Sequence, residues 1–135
     1  AAPFATLGKA LASANGNPVY ACAETFTEAI TLEQDATVYG GLDCAAGWTY
    51  AGEPTKTTWT AQADAVPLHL AIGARAAMQD VALVAADAVK AGGSSIAVIS
   101  EGGTQLTLSH CDVTAGNGAK GAEGETPAGM GISNQ

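Results

Sequence analysis

Between 66 and 120 the apolar and polar positions run through the same order twice, thirty residues apart and without a gap. Val66 falls on Ile96, Leu68 on Val98, Ala76 on Leu106, Met78 on Leu108, Val81 on Cys111 and Leu83 on Val113. The turn positions agree as well: Gly73 falls on Gly103, Asp87 on Asn117 and Lys90 on Lys120. A fixed period of this size predicts a unit that cannot bury its apolar face alone and must stack on a neighbour. An earlier and more divergent copy sits 38 residues upstream, with Ile30 on Leu68 and Val38 on Ala76. Its extra length is read as an inserted loop over 41–59, which carries Trp48 and Tyr50 and is bordered by Trp59.

Ahead of the copies the period changes. Phe4, Leu7, Leu11 and Ala14 fall on one helical face, so the spacing predicts a helix over 3–15, with Pro3 at its first position and Gly16 as its stop. Asn15-Gly-Asn-Pro18 is turn chemistry, and 19–23, 28–32 and 36–39 read as short strands. The stretches 89–95 and 116–131 are polar, glycine-rich connections. Two Gly-x-y triplets within 118–124 are broken by Glu125-Thr-Pro-Ala, which rejects a collagen helix. Gly131-Ile132-Ser133 reads as the start of a further copy.

With 135 residues the expectation is one domain, 1–135, with 3–15 as helix, 18–39 as the first unit, 66–87 and 96–117 as the second and third, and 118–135 as a glycine-rich loop leading onward. Aromatics make up only 5% of the chain, so small residues in thin layers are expected to build the core. A net charge of -8, with only five Lys plus Arg, repels phosphate backbones and anionic lipid, and predicts no nucleic-acid partner. No apolar run approaches the ~18 residues of a membrane span, so no membrane insertion is expected. Cys22 and Cys44 each close a strand-like run; a bridge between them would suit an oxidising compartment, and the alternative is two small buried residues that never bond. Cys111 shares the column of Val81 and reads as a small inward hydrophobe, and no cysteine or histidine spacing suggests zinc.

The opening Ala2-Pro-Phe-Ala-Thr-Leu7, Pro18-Val-Tyr20, Glu24-Thr-Phe-Thr-Glu28 and Ala29-Ile-Thr-Leu32 resemble the first residues of bacterial right-handed parallel β-helix proteins of the pectate-lyase-like superfold. Val38-Tyr-Gly-Gly-Leu-Asp-Cys44, Gly47-Trp-Thr-Tyr50 and Thr114-Ala-Gly-Asn-Gly118 are similar to secreted cell-surface proteins of the myxobacterial type. Glu24 departs from that pattern, standing where Gly is common. The resemblance implies an all-β fold, a right-handed parallel β-helix of about three coils with an N-terminal capping α-helix, secreted or held at the cell surface. A stack so short would leave its far cross-section open, to be covered by further coils, a second subunit or its own tail.

The candidate chemistry is sparse. With Cys111 and Val113 inward, His110, Asp112 and Thr114 are expected on the outer face, where the thirty-residue register sets Asp80 beside His110. Asp80, His110 and Asp112 could then serve as acid and base or hold a metal, although no Lys or Arg shares their columns to stabilise an enolate. A Ser109–His110–Asp112 triad is rejected because adjacent strand residues point to opposite faces. Trp48, Tyr50 and Trp59 are candidate sugar platforms, set against the alternative that the rings pack down over the coil. Asp87 over Asn117 reads as a turn ladder, and Gly40-Gly41 and Gly102-Gly103 lack the rest of a phosphate loop. No cofactor is called for. The expectation is a non-enzymatic structural or adhesive module that associates with itself, end to end or as a filament; the alternatives are a polysaccharide lyase or hydrolase fragment and a glycan-binding module.

Overall fold

A computed structural model describes residues 3–52 and 54–124. Over the described residues the fold is all-β with one short helix. The helix α1 (Leu7–Ser13) is followed by β1 (Val19–Cys22), β2 (Thr25–Thr27), β3 (Ile30–Leu32), β4 (Ala36–Asp43), β5 (Thr49–Tyr50) and β6 (Thr57–Thr60). Then come β7 (Leu68–Leu70), β8 (Arg75–Gln79), β9 (Val81–Val84), β10 (Val98–Ser100), β11 (Gln105–Ser109) and β12 (Asp112–Thr114).

Eleven of these strands form three sheets of parallel strands, ordered β1-β4-β8-β11, β2-β6-β9-β12 and β3-β7-β10. The chain visits the three sheets in turn and lays one strand on each before returning to the first. Met78 pairs with Leu108, Leu83 with Val113 and Leu68 with Val98, all thirty residues apart. The upstream alignment needs a correction. Ile30 does pair with Leu68, but Val38 pairs with Met78 rather than Ala76. The turn from Leu32 to Ala36 is two residues shorter than the equivalent turn from Leu70 to Ala76, so the offset grows from 38 to 40 on passing it.

Side chains from all three sheets meet between them. Val38 and Met78 come from the first sheet, Trp59 and Leu83 from the second, and Leu32, Leu68 and Leu70 from the third. Strands this short are stable only when stacked, because each buries its apolar side against the strands on either side of it as well as across the core. The last strands show the converse. Met78 and Leu83 are 3% and 0% exposed, while Leu108 and Val113, their partners one strand further, are 38% and 48% exposed.

Two predicted boundaries shift. Thr57–Thr60, read as the end of the inserted loop, is a strand of the second sheet, paired on both sides. The helix starts at Leu7, not at Pro3. Thr6 is its N-cap, accepting from the Lys9 N–H at 3.2 Å, and the Glu28 carboxylate accepts from the N–H groups of Leu7 at 2.7 Å and Gly8 at 2.9 Å. Seven residues make a marginal helix in isolation. Burial of Leu7 and the clasp from Glu28 seat it on the first strands. The start of a further copy, read from the sequence at 131–133, lies outside the described residues.

Candidate functional site

The corner between the first and second sheets gathers most of the candidate residues. Asp80 joins β8 to β9 and His110, with Cys111, joins β11 to β12; Asp80 and His110 both have left-handed backbone (φ 57° and 51°). Asp and His tolerate that region better than most residues. The corner breaks the strand alternation on which the rejection of a Ser109–His110–Asp112 triad rested. No hydrogen bond links those three side chains among the described residues.

The inserted loop reaches this corner by a hairpin. After β4 the chain turns through 44–48 and returns as β5, antiparallel to β4, with Leu42 opposite Tyr50 and Asp43 opposite Thr49. Asp43 holds the turn by accepting from the N–H groups of Ala45 and Ala46 at 3.1 Å, and Gly47 and Trp48 take it through positive φ. The Cys22–Cys44 disulfide ties the base of the hairpin to β1. Gly41 (φ 74°) makes the close approach possible, because a side chain there would meet Asp80 Cβ at 3.3 Å and the Tyr50 ring at 3.4 Å.

Tyr50 thereby donates its hydroxyl to Asp80 Oδ1 at 3.0 Å, and Asp80 is 2% exposed. This corrects the expectation of a solvated outer-face carboxylate: the hairpin covers it. Lys56, from the end of the same loop, donates to Asp112 Oδ2 at 3.0 Å. The cation that the sequence columns lack is supplied by the insertion. Asp80 and Asp112 bond to Tyr50 and Lys56 respectively, and among the described residues no three His, Cys, Asp or Glu side chains gather as metal ligands would. Chemically the corner ties carboxylates down: Asp80 to Tyr50, Asp112 to Lys56.

The aromatic candidates divide. Trp59 is wholly buried in β6, and its indole N–H donates to the carbonyls of Glu28 at 3.2 Å and Pro67 at 3.1 Å. It offers no face to a sugar, because the stretch it borders is core strand rather than loop. Trp48 and Tyr50 are exposed. Sequence reading missed a second exposed pair, Tyr20 and Tyr39, stacked with centroids 5.5 Å apart on neighbouring strands. The signal was there: Val19-Tyr20 and Val38-Tyr39 repeat a dipeptide at the pairing offset.

His69 meets Glu101 at 3.0 Å across the third sheet, and Asp87 accepts from the Asn117 backbone N–H at 2.7 Å, binding one turn to the next. A hollow lies elsewhere, at the first strands. A groove of about 710 Å³ lies between α1 and β1, with Phe4, Phe26 and Trp48 on its walls. No helix among the described residues is long and apolar enough to cross a membrane. Compared with protein-family models, curated proteins and solved structures, the chain matches none.

Proposed function

We propose that this chain is a non-enzymatic structural or adhesive module, a right-handed parallel β-helix that works outside the cell by taking further strands on its last coil. The observation that carries the reading is the contrast in burial between the last two strands of the first and second sheets: Leu108 and Val113 are exposed where Met78 and Leu83 are sealed. Among the described residues β10, β11 and β12 each have a paired neighbour on one side only. Edges of that kind template pairing with more chain or with another copy. The disulfide suits an oxidising compartment, and the tie-down of Asp80 and Asp112 speaks against a lyase or hydrolase at this corner.

The two ends differ, which shapes the association. Glu28 clasps α1 over the first strands, so a subunit arriving at that end would have to displace the helix. Pairing of two last coils needs no such displacement and gives a closed dimer rather than a filament. Sedimentation velocity over a hundredfold concentration range should show a monomer–dimer equilibrium that Leu108→Asp with Val113→Asp abolishes. A monomer throughout that range would refute self-association. If the alternative enzyme reading holds, the protein releases unsaturated or reducing ends from acidic polysaccharides and Asp112→Ala stops it.

The stacked Tyr20–Tyr39 pair favours a second reading, a glycan-binding module in which these rings and Trp48 stack on sugar faces. Oligosaccharide titration followed by tryptophan emission tests it, with Tyr39→Ala as the variant that should lose the response.

A further inference from the structure

The geometry points to the groove between α1 and β1 as a strand-accepting site for an extended segment of a separate polypeptide, apolar at alternate positions and carrying one cation. Among the described residues β1 is the terminal strand of the first sheet and pairs on one side only, with β4. A parallel strand sends its backbone groups alternately to its two sides, so half of those on β1 point away from β4. The groove runs along that side: Pro18 and every residue of β1 through Cys22 line it. An unpaired strand edge continuous with a hollow is the geometry of recognition by β-augmentation, in which backbone hydrogen bonds give affinity and alternate side-chain pockets give selectivity.

The walls specify the guest. Leu7 and Ala10 on the helix side, Val19 and Ala21 on β1, and Phe26 below make the inner surface apolar. Trp48, exposed at 40%, also lines it. Among the described residues exposed Glu24 is the only charged one on the lining, and the chain as a whole carries -8, so the complementary segment brings a Lys or Arg near Glu24. Four residues of β1 extend over roughly 13 Å, which sets the paired length at four or five residues. This site is independent of the last coil, so its failure would leave the proposed association untouched.

The test uses the full chain and a fluorescein-labelled, end-blocked heptapeptide, Thr-Val-Lys-Val-Thr-Val-Thr, followed by anisotropy. The same peptide methylated on alternate backbone nitrogens is the control. The unmodified peptide should bind, and the methylated one should bind at least about tenfold more weakly, because each lost backbone bond removes a buried pairing. Ala10→Trp fills the groove and should abolish binding. Glu24→Lys, a change at an exposed position, should weaken the Lys peptide about fivefold and restore tight binding to a peptide with Glu in place of Lys. Equal binding of the two peptides would reduce the groove to an apolar pocket and overturn strand addition. No binding of either, or displacement of the peptide by a neutral oligosaccharide, would also overturn it.

Discussion

Met78 and Leu108 occupy one column on neighbouring strands, as do Leu83 and Val113, yet the first of each pair is sealed and the second lies open. The residue types are nearly the same, so the side chains do not explain the contrast. Burial here is conferred by the strand that comes next, and an apolar residue contributes according to what is stacked on it. The corner repeats the lesson with polar residues. Asp80 and His110 share a left-handed backbone and a column, but only Asp80 is roofed by the hairpin and held by Tyr50.

The comparison can be broken most sharply in the core. Leu83→Ala should cost about 3 kcal/mol in guanidinium unfolding, from lost burial plus a cavity. Val113→Ala should cost less than about 1 kcal/mol, as at an open surface. Equal costs would mean that the last strand is covered in solution, and the Val113→Ala penalty should then shrink on dilution. Removing the disulfide by Cys44→Ser should cost about 3 kcal/mol, given the 22-residue separation it closes. Hydrogen exchange should rise in β1 and β4 while β8 and β9 keep their protection. At the corner, Asp80→Ala should cost about 2 kcal/mol, since it removes the hydrogen bond from Tyr50 and leaves Ala in left-handed backbone. His110→Ala should cost about half as much, because only the backbone term remains. Lys56→Ala should change stability by about 0.5 kcal/mol or less, as expected for an ion pair whose Asp112 is largely in water. A larger loss would show that the loop, rather than the ion pair, depends on Lys56.

What the sequence made legible was the part that depends on neighbours a fixed distance apart. The thirty-residue offset is the strand register seen between β8 and β11, because paired columns demand matched apolar residues. The bridge between Cys22 and Cys44 was one of two open readings, and it forms. What escaped were contacts made by insertions, which follow no period. Nothing in the residue types of Lys56 and Asp112, or of Tyr50 and Asp80, announces that the inserted loop will carry the first of each pair across the corner. Trp59 was misplaced for a related reason: its strand follows the insertion, so the thirty-residue columns do not reach it. The groove was invisible because it is bounded by a helix and a strand of different periods.

The clasp of Glu28 on α1 has a consequence for the order in which the chain folds. The helix is synthesised before its anchor, which lies 20 and 21 residues further along. That anchor is itself held between β2 and β3, whose partners β6 and β7 come more than thirty residues later still, with Phe26 waiting for Trp59 and Ile30 for Leu68. These early residues are therefore among the last of the described chain to settle. So many distant pairings also make for slow folding. During that interval the unroofed strands of the first circuit stand exposed, and the polypeptide is at its most vulnerable to proteases and to misassociation well before its last coil exists.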